Sequence, residues 1–423
     1  MSRIIPRCVV IQALAVVLSI LFSAAEARSA SYKVLYNFNS TNANPSSGLT
    51  TDSAGNAYGV TSGGGQNNSG TVYELSPTTG YHLLYTFRYK GLGGWNPKGT
   101  LTIDSAGNLY GTTVNGGSNK TGCNNSGCGV AFELSPPSNG GTWTETVLHS
   151  FCSQPNCADG AGPQAGVILD STGNLFGTTF AGGGTDSCNG GCGTVFELSR
   201  TEVGWNETVL LTFSAQSSPA SGLIFDKLGN LYGTTQSGGN GKGSVFELSP
   251  TGGVWTETVL YAFSDFSNSM DGSFPQASLV FDGGGNLYGT TLMGGEFGLG
   301  TVFEVSPDPS GWTETVLYSF MGGNDGASPY ASLAIDSAGN LYGTTFAGGG
   351  IKGCLGNGCG TVFELTPMLG GQWTQRLFRL PSSGSLGLQP ATPLILDGSG
   401  NIYGTTSKGG NPNGDGVMFR ITQ

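Results

Sequence analysis

The chain has 423 residues and a formal charge of −11, and 75 of its residues are glycine. Only 10% are charged, which excludes a coiled coil or a charge-rich disordered chain, and the glycine content argues against helices. The acidic balance repels phosphate backbones and anionic lipid, so nucleic acid and membrane surfaces are not expected partners.

In chain order, Arg3 and Arg7 precede an apolar run over residues 9–22 and a small-residue stretch ending Ala25-Glu26-Ala27. This predicts a secretory signal peptide, residues 1–27, because the run is shorter than the roughly 20 residues of a membrane span. Its removal takes away Arg3, Arg7 and Glu26 and moves the charge from −11 to −12. Cys8 lies before the apolar run, so lipid attachment is not expected. Residues 28–423 are then expected to be one secreted or periplasmic domain, a monomer without membrane insertion.

A lone strand-like run, residues 32–38, comes next. After it a phrase recurs seven times: Gly-Asn-x-Tyr/Phe-Gly, starting at Gly55, Gly107, Gly173, Gly229, Gly285, Gly339 and Gly400. Each copy has an aspartate three residues earlier (Asp52, Asp104, Asp170, Asp226, Asp282, Asp336, Asp397) and a proline ten earlier (Pro45, Pro97, Pro163, Pro219, Pro275, Pro329, Pro390). A Gly-Gly pair follows, from Gly64-Gly65 to Gly409-Gly410.

Every repeat holds four strand-like runs, A to D, seen in the fifth as residues 278–281, 286–291, 300–305 and 312–320. Run A is apolar on both faces and suits an innermost strand. Between A and B, Asp-x-x-Gly-Asn reads as a tight turn whose Asp bonds the backbone. Calcium ligation by these aspartates is the alternative, without the spacing of a calcium loop. Four short antiparallel strands per repeat, seven times over, predict an all-β, seven-bladed β-propeller. The chain stops after a C run, so residues 32–38 are expected to supply the missing D strand and close the last blade, leaving no open edge.

Eight cysteines follow the leader in four close pairs: Cys123 with Cys128, Cys152 with Cys157, Cys188 with Cys192, and Cys354 with Cys359. Even pairing in short loops of an exported chain reads as local disulfides; with two histidines in the whole chain, zinc is not expected.

The phrase D-x-x-G-N-L-Y-G-T-T-x-x-G-G followed by G-T-V-F-E-L-S-P resembles the GloVer tandem repeat of secreted bacterial proteins. It is similar, more distantly, to the D-x-x-G-N-L-W-x-G-T propeller repeats of two-component sensors. The likeness covers nearly all of residues 32–423 and implies a propeller and an exported protein, but no reaction.

In an antiparallel blade the B-to-C and D-to-A loops share one face, and the A-to-B and C-to-D turns share the other. All the disulfide candidates and nearly all length variation fall on the first, where function is expected. Its D-to-A loops carry Arg88, Tyr89, Lys90, Trp95, Asp159, Asp265, Phe266, Asp271 and Asp325; its B-to-C loops carry Asp186, Lys242, Glu296, Lys352 and Asp415. Five tryptophans, Trp143, Trp205, Trp255, Trp312 and Trp373, recur at the start of strand D and read as packing residues. Trp95 has no such counterpart and is a candidate for stacking on a sugar ring, with loop packing as the alternative. Asp159, Asp271 and Asp325 share Asp-Gly-x-x-Pro and are candidates for ligand or calcium binding, with a tight turn as the alternative.

No catalytic residue is assigned. His149 and His82 both sit in D strands, at places held elsewhere by Tyr261 or Tyr318 and by Thr258. Of the arginines only Arg88 maps to the loop face, which speaks against a bidentate clamp for a carboxylate sugar. The sequence therefore predicts a non-enzymatic binding or scaffold propeller for a glycan, a cell-surface polymer, or an envelope or matrix protein. The alternative is an extracellular polysaccharide hydrolase or lyase using loop-face carboxylates.

Overall fold

The computed structural model describes residues 30–423 apart from 90, 120–122, 139, 185–190, 215–216, 265–269, 351–357 and 381–385. The leader 1–27, Cys188, Cys354, Lys90, Asp186, Asp265, Phe266 and Lys352 thus lie outside the described residues. Seven antiparallel sheets form a seven-bladed β-propeller, each in the order A-B-C-D. The described residues contain no α-helix; 3-10 turns lie at Gln66–Asn68, Cys123–Asn125 and Pro155–Cys157.

Blade 5 shows the pattern: strand A is Val280–Phe281, B is Leu287–Thr291, C is Thr301–Asp308 and D is Gly311–Ser319. Blade 7 has A at Ile395–Leu396, B at Ile402–Thr406 and C at Val417–Thr422, and its fourth strand is the N-terminal Ser31–Asn37. Pairing runs from Ser31 opposite Thr422 to Asn37 opposite Val417, so the ring closes as the sequence predicts. Strand A is shorter than expected: two residues pair with B, then the chain leaves the ladder near the axis. There the first Thr of Gly-Thr-Thr takes over in blades 2 to 5, its hydroxyl donating to the next blade's A segment: Thr112 to the Ala165 carbonyl at 2.7 Å, Thr178 to Ser221 at 2.9 Å, Thr234 to Ala277 at 3.2 Å and Thr290 to Ala331 at 3.3 Å.

The repeated phrase is thus legible residue by residue. In the A-to-B turn, Asp226 Oδ1 accepts the N–H groups of Leu228 and Asn230, and Oδ2 accepts from the Asn230 amide and the Tyr232 hydroxyl. Gly229 sits at φ +88°, where side-chain residues are strained. Phe176 lacks the tyrosine hydroxyl, and Thr172 bonds Asp170 in its place. The Gly after the Tyr leaves room for the strand C aromatic; a Cβ on Gly233 would lie 2.7 Å from the Phe246 ring.

Strand D carries a bulge, as between the pairs Val195–Leu211 and Phe196–Val209. A bulge lets two consecutive residues face the same side. Leu210 with Leu211, Leu260 with Tyr261, and Leu317 with Tyr318 accordingly all pack on core clusters.

Blades join at a recurring seam. The residue before each repeat proline (Asn44, Asn96, Gly162, Ser218, Phe274, Ser328, Gln389) has φ between 43 and 60°. Its N–H reaches the preceding blade: Asn96 donates to the Ser69 carbonyl at 2.9 Å, Phe274 to Lys242 at 2.8 Å, and Asn44 to Asp415 at 2.9 Å across the closing seam. The proline then lies against the glycine that opens the neighbour's strand C, as Pro275 does on Gly243.

Candidate functional site

The two loop classes expected on one face are tied together there. The segment entering each strand A runs antiparallel to the end of strand B, as in Trp95 opposite Asn115, Gly272 opposite Gly294, Ala327 opposite Ala347 and Leu388 opposite Lys408. Cys123–Cys128 closes the B-to-C loop of blade 2, and Cys152–Cys157 closes the D-to-A loop entering blade 3. Cys192 and Cys359 are also disulfide-bonded.

The candidate aspartates turn into their own loops. Asp159 is wholly buried and accepts from the Ser153 N–H and hydroxyl, the Gln154 N–H and His149 Nε2, the last at 3.0 Å. Burial pushes its carboxyl up, but the bonds from His149 and Ser153 outweigh it and hold the pKa down at about 2. Asp271 accepts from the Tyr261 hydroxyl at 2.7 Å and from Ser264; Asp325 accepts from the Tyr318 hydroxyl at 2.8 Å and the Met321 N–H. His149 therefore fills the place of Tyr261 and Tyr318, as its repeat position predicts. The three aspartates occupy three different blade junctions, and no hydrogen-bond partner joins them among the described residues. In that set, the one grouping of His, Cys, Asp or Glu atoms close enough to share a metal is Cys128, Cys152 and Cys157, all in disulfides.

Trp95 is half-buried against the core between blades 1 and 2, with its ring 5.0 Å from that of Tyr89. Its Nε1 is buried without a hydrogen-bond partner among the described residues. The five recurrent tryptophans pack against the cores, for instance Trp205 on Tyr110 and Trp373 on Tyr288 of preceding blades.

Sequence reasoning missed two features. The first is a cavity of about 390 Å³ on the axis, lined by the A segments of the blades. The residue after each repeat proline lines it: Ser46, Lys98, Gln164, Ala220, Gln276, Tyr330 and Ala391. Among its described lining residues Lys98 is the single charged one, and none is a carboxylate. The second is an exposed sector over blades 5 and 6: Met270, Met293, Phe297, Met321, Tyr330 and Phe346. All the exposed aromatics among the described residues (Tyr89, Phe297, Tyr330, Phe346) lie on the loop face; the large exposed apolar residues at the opposite turns, such as Val203, Leu228, Met368 and Leu369, are not aromatic. The signal was available: Tyr330 is the one aromatic at a repeat position held elsewhere by Ser, Ala, Gln or Lys.

Residues 17–184, 123–353 and 258–423 match a family described as the Gloeobacter/Verrucomicrobia repeat. No curated protein matches the chain in sequence. Among solved structures, a Bacteroides uniformis protein assigned as a 6-phosphogluconolactonase is similar at TM-score 0.51 and 14% identity, over 82% of this chain and 90% of that one. The extracellular domain of a protein assigned as a one-component system of B. thetaiotaomicron is similar at TM-score 0.52 and 12% identity, over 92% of this chain and 39% of that one. At such identities the likeness is one of fold. No helix of the described residues is long and apolar enough to cross a membrane.

Proposed function

The chain belongs to the Gloeobacter/Verrucomicrobia repeat family, and on that premise we propose that it is an extracytoplasmic recognition propeller for a neutral carbohydrate polymer. The carrying observation is the axial cavity, ringed by hydroxyl and amide side chains and by Lys98, with Tyr330 of its lining exposed among the loop-face aromatics. Sugar hydroxyls ask for such donors and acceptors, and the apolar face of a pyranose stacks on rings such as Tyr330 and Phe346. The polymer lies across blades 5 and 6 and presents one unit to Gln276, Gln164 and Lys98. The net charge of −11 disfavours polyanions at long range. Asp159, Asp271 and Asp325 act on the ligand through the shape of their loops, and Trp95 through the packing of its own. The disulfides support a place outside the cytoplasm, as does the predicted leader.

The test is a glycan array followed by calorimetry on residues 28–423, with Tyr330→Ala, Tyr330→Phe and Trp95→Ala beside the wild type. Saturable binding of a neutral glycan, weakened about tenfold or more in Tyr330→Ala and kept in Tyr330→Phe, is expected, as for loss of one stacking platform. A blank array, or equal affinity in Tyr330→Ala, overturns the reading. Release of new reducing ends from a bound polysaccharide would overturn the non-enzymatic part.

A further inference from the structure

The two disulfides at the junction of blades 2 and 3 are neighbours. The sulfurs of Cys128, Cys152 and Cys157 all lie within 4.8 Å of one another, although Cys128 and the Cys152–Cys157 pair belong to different loops. The fourth sulfur partner, Cys123, is exposed, whereas Cys128 and Cys152 are buried. Cys123, Cys152 and Cys157 have φ of 51, 60 and 51°, as do Asn124, Asn125 and Asn156 at 59, 61 and 56°. Both loops thus hold residues with side chains in the left-handed region, at a cost that a change of pairing could relieve. The Asn119 amide donates to Cys152 Sγ at 3.3 Å and to the Cys152 carbonyl at 2.9 Å.

We propose that these four cysteines form a thiol–disulfide exchange site whose substrate class is an external thiol or dithiol. A thiolate attacks the exposed Cys123 sulfur, forms a mixed disulfide with it and expels the Cys128 thiolate. That thiolate, already beside the second bond, attacks Cys157 Sγ. The Cys128–Cys157 bond forms, the Cys152–Cys157 bond breaks, and the electron pair leaves on Cys152, where the Asn119 N–H stabilises it. With a dithiol, its second thiolate releases Cys123 as a thiolate, and the oxidised dithiol departs carrying the two-electron balance. The product ties the B-to-C loop of blade 2 to the D-to-A loop beside it, in place of two loops each closed on itself. The inference stands on this geometry and is independent of the carbohydrate reading.

The experiment is Cys123→Ser in the full chain, quenched in acid, alkylated and digested with chymotrypsin without reduction. Cleavage at Phe132, Leu134 and Leu148 separates Cys128 from Cys152 and Cys157, and tandem mass spectrometry assigns the link. Most molecules are expected to carry Cys128–Cys157 and a free Cys152. Free Cys128 beside an intact Cys152–Cys157 bond overturns the proposal, and a Cys128–Cys152 link overturns the direction assigned to Asn119. Should the variant not melt cooperatively, limited reduction of the wild type with glutathione decides. The cross-loop species must precede the fully reduced one and form several-fold more slowly in Asn119→Ala; direct passage to two dithiols overturns it.

Discussion

Replacing Gly243 by alanine tests the seam. The position has φ +96°, and a Cβ there would lie 2.4 Å from the Thr235 carbonyl, 2.6 Å from Pro275 Cδ and 3.1 Å from the Gln236 carbonyl. Those neighbours are backbone or a proline ring, so no flexible side chain can give way. The positive φ costs about 1–2 kcal/mol for any residue with a Cβ, and forced overpacking adds about 1–3 kcal/mol. Gly229 is the control: φ is +88°, but nothing stands within 4 Å of a Cβ there. Gly229→Ala should lose only the backbone share. Urea unfolding followed by tryptophan fluorescence, at unchanged m-value, should place Gly243→Ala about 1–3 kcal/mol below Gly229→Ala. Exchange of the Phe274 N–H, which crosses the same seam to the Lys242 carbonyl, should accelerate only in the first variant. Equal midpoints and equal exchange would refute the seam as described.

Ring closure is checked by Phe38→Ala, since Phe38 is wholly buried beside the N-terminal strand and stacks edge-on with Tyr73; a loss of about 3–5 kcal/mol by the same unfolding assay is expected. The pH profile should peak near 4.5 to 5. Burial pushes Glu207 and Glu314 up to about 7, opposed at Glu207 by His149 more than Asp159 adds and reinforced at Glu314 by the Asp271 charge, so the folded state holds protons that the unfolded chain has lost. Stability therefore falls as pH rises from about 4.5 to 7, and the double variant Glu207→Gln with Glu314→Gln should flatten that limb in melting curves. On the acid side, burial pushes Asp52, Asp104 and Asp336 up, but side-chain and backbone bonds from Asn56, Asn108 and Asn340 outweigh it and hold them below the usual carboxylate value. Their contribution is present above the unfolded pKa and is lost as pH falls through the folded one.

The scaffold was legible because every structural device is repeated. Asp226, Gly229, Asn230 and Tyr232 recur at fixed spacing since each serves one turn, and the unpaired residues 32–38 announced the closure. The role of the prolines was not legible: spacing gives their regularity, but the seam they form needs a neighbour distant in sequence, such as Gly243 for Pro275. The channel ring escaped for the opposite reason. Ser46, Gln164, Gln276 and Tyr330 share a position but not a residue type, so nothing repeats for a sequence search to find. The disulfides of Cys123 with Cys128 and Cys152 with Cys157 were read from local spacing, whereas the approach of the two loops depends on how blades 2 and 3 dock.

A residue before proline ordinarily prefers extended backbone, yet at all seven junctions it is left-handed, and at six of them it carries a side chain. Nothing within a single blade rewards Phe274 or Gln389 for that geometry; the carbonyl that holds each comes from the blade before. A blade folding alone would let these residues relax, so each repeat completes its neighbour's backbone as well as its core. Open repeat arrays fray from their end units. This ring has no end unit, and it should lose its structure as one cooperative body.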